Sequence, residues 1–288
     1  MVKKMGVLNQ QILYPLNSLA DYEEKYGLRK KHDEMLEALL VFDKHCRDND
    51  IYYSLADGTL MGALRHGDFI PWDDDADVMM TKSEYLKLRA SLSEDSPIKL
   101  FKICFLDRIS TPELLRQHEF IDLFINEDMP ASSIVFNWKK FKTAFLRTSF
   151  KGMAENYRHR KLSKNKKRMH DIINDICGII ARAIIGKRSV FELNEKAVDI
   201  GNHKKSGIYT RYTSRMFETK RRFNKNKYDA GYADVQFRGH RLMAIKNADV
   251  FLHEMYGDYL ILPPEEKRIP EHPVDMLSSD KSCMFWYN

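Results

Sequence analysis

Four aspartates, Asp73, Asp74, Asp75 and Asp77, crowd five positions near the end of the segment 57–78, which reads DGTLMGALRHGDFIPWDDDADV. Like charges at that spacing repel, and a folded chain keeps them together when a counter-charge is at hand. A strand over 72–80 would turn Asp73, Asp75 and Asp77 to one face and Asp74, Ala76 and Val78 to the other. Three carboxylates on one rigid edge suit a hard divalent cation, Mg²⁺ or Mn²⁺. Just upstream, Gly58, Thr59 and Gly62 open a short helix, whose first backbone N–H groups and positive dipole end can cradle a pyrophosphate. Arg65 can neutralise charge on a transferring group, and the His66–Gly67 pair lets the chain turn closely around it. His66 itself reads equally as a phosphate contact or as a surface turn residue. A further acid, Asp122, lies inside the apolar run 119–125, EFIDLFI. Burying it is costly unless it is paired or bound to metal. It can complete the metal shell or take a proton from an incoming hydroxyl. Asp75, Asp77, Asp122 and Arg65 are therefore the catalytic candidates, with Asp73 joining the three aspartates as a metal ligand. The chemistry is displacement at phosphorus.

The elements that must position these groups are legible in outline. Met35, Leu36, Leu39, Leu40, Phe42 and Cys46 recur at helical spacing and predict an amphipathic helix over 29–49. Residues 51–55 read as a strand, 59–66 as a short helix ending before Gly67, 83–92 as a helix and 98–105 as a half-buried strand. From Gly207 short strands and turns return, 247–255 is helical, and Leu262-Pro263-Pro264 closes the ordered body. The order helix, strand, glycine turn, helix, Asp-x-Asp strand, later lone-Asp strand is the layout of the nucleotidyltransferase fold. The expectation is an α+β protein, a mixed sheet flanked by helices, carrying a basic helical insert and a C-terminal α/β extension. Its divisions are an N-terminal extension (1–28), a catalytic core (29–130), the insert (131–200), a C-terminal part (201–270) and a tail (271–288).

Charge is unevenly spread. Residues 131–190 hold 15 Lys and Arg against 3 Asp and Glu, a net of +12, whereas the rest of the chain sums to −6. Such a segment meets phosphate, whether in nucleic acid, an anionic lipid surface or a polyanionic acceptor. Within it, Ile172, Ile173, Ile176, Ile179, Ile180 and Ile184 form an apolar stripe, expected to pack on the domain ahead of dipping into a membrane. Arg211, Arg215 and 220–222 read as a solvated basic face with a secondary option of acceptor binding. Nucleic acid is disfavoured because no recognised binding module is present and aromatic residues are sparse in 151–170. Cys46, Cys104, Cys177 and Cys283 lie far apart without zinc spacing, which suits a reducing, cytoplasmic compartment. No stretch has membrane-spanning length, and the N-terminus lacks a signal peptide's apolar core. His32, His45, His118, His159 and His170 show no ligand spacing.

The wording of 57–78 strongly resembles the LicD family, which includes the fukutin-type enzymes. The resemblance continues in FIDLF (120–124) and in MYGDYLILPPEEKR (255–268), and it covers most of the chain from about residue 30 to 270. Ala56 departs from it, standing where relatives commonly carry a bulkier, acidic or glycine residue. The resemblance places the family's metal aspartates on Asp73, Asp75, Asp77 and Asp122. It implies a CDP-linked donor, most often CDP-choline, and transfer of a phospho-alcohol to a sugar of a surface glycan such as lipopolysaccharide or teichoic acid, with CMP leaving. Transfer of the nucleotide itself, or of phosphoribitol or phosphoglycerol, is the alternative. A choline group would call for aromatic walls, for which Trp72, Tyr52, Tyr53, Phe69 and Trp138 are candidates. A lipid-linked acceptor would place the basic segment peripherally at the inner face of the cell membrane.

Overall fold

The computed structural model describes residues 5–10, 12–15, 20–103, 106–117, 119–153, 203–211, 222–228, 230–270 and 284–286, with Ile176, Ile179, Ile180, Ala183, Glu192, Leu193 and Lys196. After a short helix α1 (Ala20–Lys25), the 20-residue α2 (Arg29–Asp48) buries Met35, Ala38, Leu39, Phe42 and Cys46, the face expected from their spacing. Strand β1 (Ser54–Leu55) is shorter than expected, and α3 (Asp57–Arg65) begins two residues earlier than expected. Strand β2 (Asp77–Thr81) passes into α4 (Lys82–Ser91), capped by the Thr81 hydroxyl, which accepts from the Glu84 N–H. Then follow β3 (Lys99–Ile103), β4 (Leu106–Ser110), α5 (Pro112–Arg116), β5 (Ile121–Pro130) and the 21-residue α6 (Ser133–Met153). The chain closes through β6 (Lys205–Arg211), β7 (Arg222–Asn224), α7 (Lys225–Tyr228), β8 (Tyr232–Phe237), β9 (His240–Ile245), α8 (Ala248–Tyr256) and β10 (Met284–Trp286).

One mixed sheet runs β1-β2-β5-β4-β3-β10, with β6 on β5 and β7 on β6, while β8 and β9 form a separate hairpin. The architecture is α+β, as expected. At its centre β2 and β5 are parallel, and every other pairing in this sheet is antiparallel. β5 is the shared element: its first residues pair with β4 and its later ones with β6, on the edge opposite β2. Val78 and Met80 of β2 and Leu123 and Ile125 of β5 are buried and continue the α2 core.

The described residues at both ends and in the insert contact the body at particular points. Described residues of the segment before 28 contact the body: Val7 bridges Asp234, and the N–H groups of Leu13 and Tyr14 both donate to the Arg65 carbonyl. The C-terminal tail contributes β10, which completes the β3 edge of the sheet. In the insert, α6 packs Phe136, Thr143 and Leu146 inward, and of the isoleucine stripe the described Ile176, Ile179 and Ile180 are helical and about half exposed. Ile172, Ile173 and Ile184 lie outside the described residues, as do Cys104, Cys177, Cys283, His118, His159, His170 and Arg215. Among the described residues no helix is long and apolar enough to cross a membrane.

Candidate active site

The acidic run does not enter the sheet where alternation placed it. Residues 73–76 are irregular, and the strand starts only at Asp77. Even so, Asp74 is the buried member of the triplet, while Asp73 and Asp75 are partly exposed, and the field of Asp74 falls on Glu119. The run is pinned at both edges. The Thr59 hydroxyl accepts from the Asp77 N–H (2.8 Å), the Ala56 N–H donates to the Asp77 carbonyl (2.9 Å), and the Asp122 N–H donates to the Ala76 carbonyl (2.8 Å). Helix α3, β2 and β5 therefore meet at one point.

Asp77 lies opposite Asp122 in the parallel β2–β5 register. Register partners in parallel strands present side chains to the same face about 4.8 Å apart. The face carrying Asp77 and Asp122 also carries Met79, Phe124 and, from β6, Arg211. Burial raises the Asp77 carboxyl well above the usual carboxylate range, and the fields of Asp75, Asp57, Asp122 and Asp73, in that order, push it further. Five carboxyl groups thus act on one another across a shared surface.

Cations offset part of this charge. The Arg108 Nε donates to Asp122 Oδ1 (2.7 Å), and its guanidinium lies over the Phe120 ring. Arg211, wholly buried, donates through Nη1 to Asp57 Oδ2 and lies over the Phe124 ring at 4.5 Å. Tyr256 completes the pair, its hydroxyl donating to Asp57 Oδ1 (2.7 Å). Asp57 sits at φ +42°, a left-handed conformation that non-glycine residues rarely adopt, held here by two partners from distant parts of the chain. Arg211 is therefore not on a solvated face. Its role, and that of Tyr256, escaped sequence reasoning because neither carries a local signal. Asp57 was in view as the first residue of the motif but had no assigned task.

The residues expected to bind the donor divide into two groups. At Gly58 a Cβ would collide with the Asp73 carboxylate, so the glycine admits that side chain against the first turn of α3. Thr59 is buried and fastens α3 to β2. Gly62 serves packing: a Cβ there would strike the backbone of 68–70, at 2.5 Å from the Asp68 carbonyl oxygen. Gly67, at φ +70°, ends α3 by donating to the Gly62 carbonyl. His66 is neither a surface turn residue nor exposed to a ligand; it is 3% exposed, with Nδ1 on the Tyr14 carbonyl (2.8 Å) and Nε2 accepting from Arg65 Nε (3.0 Å). Burial, and then the neighbouring Arg65 charge, push its pKa down to about 4. Arg65 is equally buried and donates to the Tyr259 carbonyl (2.6 Å); burial lowers its pKa to about 10, while Asp73 is among the groups that hold it up. It acts on Asp73 through its field, from behind the site.

Among the aromatic candidates, Tyr53 and Phe69 belong to the core, Tyr52 stacks on Tyr232, and Trp138 lies exposed on α6. Trp72 remains beside the aspartates, edge-on to Tyr22 at 5.5 Å. The Arg268 guanidinium already occupies the cation position over both rings, at 5.8 and 5.7 Å. A second support comes from α2, where His32 contacts the buried Glu23 through Nδ1 (2.8 Å) and the Asp73 carbonyl through Nε2 (2.8 Å).

The donor set is all carboxylate oxygen, which fits a hard divalent cation. Among the described residues no three acid, histidine or cysteine side chains converge at ligand geometry. Arg108 holds Asp122 by one oxygen, and Arg211 with Tyr256 holds Asp57 by both. The raised Asp77 carboxyl marks the point where added positive charge is most favourable.

The three sequence blocks thus come together in space: 57–78 supplies the acids, 120–124 lays Asp122 beside them, and 255–268 reaches back through Tyr256, Tyr259 and Arg268. Residues 50–102 match the family described as "LicD/FKTN/FKRP, nucleotidyltransferase domain". Over 278 residues the chain is 25% identical to the lipopolysaccharide cholinephosphotransferase LicD of Haemophilus influenzae, a similarity covering 86% of this chain and 97% of that protein. The matched residues include the pinned acidic run itself, so the chain resembles the LicD family in the very residues that build the site.

Proposed function

We propose that the chain is a divalent-cation-dependent transferase, moving phosphocholine from CDP-choline to a sugar hydroxyl of a surface glycan of the lipopolysaccharide kind and releasing CMP. One observation carries the reading: Asp77 and Asp122 stand in register on one sheet face, within the fields of Asp73 and Asp75 and at the start of helix α3. The relative's cholinephosphotransferase activity supports the substrate class.

In this mechanism Asp73, Asp75, Asp77 and Asp122 would hold Mg²⁺ or Mn²⁺, which when bound supplies charge neutralisation at the pyrophosphate. The N–H groups of the first α3 turn face the donor phosphates, because a helix start leaves them without intrahelical partners. Arg65 offsets the charge of Asp73 from within the fold, and His32 fixes the Asp73 backbone. The acceptor hydroxyl oxygen forms a bond to the choline-bearing phosphorus, and the bond from that phosphorus to the bridging oxygen breaks. The bonding pair leaves with CMP. The hydroxyl proton passes to Asp122 Oδ2, the oxygen that does not accept from Arg108 Nε.

The test is incubation with CDP-choline, Mg²⁺ and lipopolysaccharide lacking phosphocholine. CMP release with choline appearing on the glycan is the expected result. Nucleotide appearing on the acceptor would replace this reading with nucleotidyl transfer. Stabilisation by CDP-ribitol or CDP-glycerol but not by CDP-choline in a thermal-shift screen would change the alcohol and keep the reaction.

A further inference from the structure

Helix α6 has two apolar faces, and only one serves the fold. Phe136, Thr143 and Leu146 are buried. Ile134, Trp138, Phe141 and Phe145 are 80%, 56%, 63% and 43% exposed. Their spacing of four, three and four residues gathers them within an arc of about 60°, roughly opposite the buried face, at about 100° per residue. Trp138 and Phe141 stack on each other at 5.9 Å, and Lys142 lies 5.1 Å from the Trp138 ring, placing a cation at the margin of the stripe. Among the described basic residues of α6, Lys142 alone borders the stripe, but the helix belongs to the segment 131–190, whose net charge is +12. The exposed Ile176, Ile179 and Ile180, helical with spacing of three and one, add a second apolar surface in the same basic stretch.

We infer that the outward face of α6 docks on an anionic lipid bilayer, the helix lying in the interface with Ile134, Trp138 and Phe141 entering the acyl boundary. The pattern is that of an interfacial helix: large apolar and indole side chains on one face, a lysine beside them in a strongly basic segment, and too little hydropathy for spanning. Tryptophan is favoured at the headgroup level, and lysine meets lipid phosphate. Charge complementarity selects the occupant. A second copy of this chain would bring the same basic segment against itself, whereas an anionic leaflet supplies the opposite charge. The inference stands apart from the transferase reading, because it concerns a helix that carries none of the site acids.

Vesicle sedimentation tests it. The full chain is expected to pellet with phosphatidylglycerol vesicles at low salt, to bind phosphatidylcholine vesicles far less, and to be released by high salt. Trp138→Asp combined with Phe141→Asp is expected to weaken binding by roughly tenfold or more. An unchanged melting temperature verifies that the variant folds. Should the double variant fail to fold, wild-type fluorescence quenching by brominated anionic lipid, lost on Trp138→Phe, supplies the same reading. Wild-type protein left in the supernatant overturns the inference, as does a folded double variant that binds normally. A dimer in light scattering that the double variant dissociates, without vesicle binding, overturns it in favour of self-association.

Discussion

Asp77 sits under burial and four neighbouring acids, and this environment sets testable signs. Replacing it by asparagine removes a charge that burial and four neighbouring acids oppose. Asp77→Asn, and likewise Asp75→Asn, is expected to lower CMP release by at least about a hundredfold, as loss of a metal or transition-state contact does. The melting temperature without metal should rise or hold. Asp74→Asn serves as the control, since Asp74 is the buried member of the triplet and acts on Glu119, while Asp75 and Asp73 are among the largest influences on Asp77; near-wild-type turnover is expected, and equal loss at 74 and 75 would show that the acids act as one undivided group. Arg211 behaves oppositely. Arg211→Met leaves Asp57 buried without its guanidinium partner and should cost about 3–5 kcal/mol in urea unfolding. His66 supplies the pH dependence. Its folded pKa, about 4, lies below its ordinary 6.5, so its neutral form stabilises the fold fully above 6.5, and that contribution is lost as pH falls toward 4. Between pH 7.5 and 5 this amounts to about 2 kcal/mol. His66→Asn should flatten the acid limb of stability by about that much, measured by urea titration at the two pH values.

At the scale of elements, α3 is where folding and chemistry share residues, and its two inner glycines separate them. Gly58→Ala is expected to displace the Asp73 carboxylate, cutting turnover sharply with little change in stability, because a side chain can swing aside. Gly62→Ala meets backbone at 68–70 and should destabilise by about 1–3 kcal/mol, with activity falling only as folded protein is lost. A comparison of kcat with melting temperature for the two variants tells them apart. Elements with strong periodicity were legible from sequence: the buried face of α2, the place of α3 and the apolar strand carrying Asp122 all follow from residue spacing. The start of β2 was not, because alternation says which side chains share a face but not whether the backbone finds a ladder partner. Residues 73–76 alternate in exposure while remaining outside the strand. Arg211 and Tyr256 were illegible for a different reason. Their partner, Asp57, is 154 and 199 residues away, and nothing local in an arginine or a tyrosine records such a contact.

For the molecule as a whole, the site is assembled from segments that sequence reasoning had set apart. Gln10 donates to the Ala63 carbonyl and accepts from the Gln236 N–H, and the Tyr14 carbonyl holds His66. Deleting residues 1–15 should therefore lower the melting temperature and the affinity for CDP-choline together. A truncated protein with wild-type values of both would show that these contacts contribute nothing. Placing Asp122 beside Asp77 was within reach of the sequence, since an acid in an apolar strand needs company. The dependence of the site on both ends of the chain was not, because the described residues among 5–15 carry no periodic pattern and are held by backbone hydrogen bonds and the Gln10 side chain.

The order in which the ribosome delivers the chain gives β10 a significance beyond its three residues. Its partner, β3, is made long before it, and at about 5–20 residues per second the interval from residue 103 to 284 is roughly ten to forty seconds. Strands β2 and β5, with the carboxylates they bring together, can pair early in that interval. Throughout it the outer edge of β3 presents N–H and C=O groups that any passing strand can take up. A nascent chain stalled before residue 284 would be able to form the acidic centre and yet be prone to edge-to-edge aggregation. Newly made protein would then depend on a chaperone at a stage when much of its catalytic architecture is already in place.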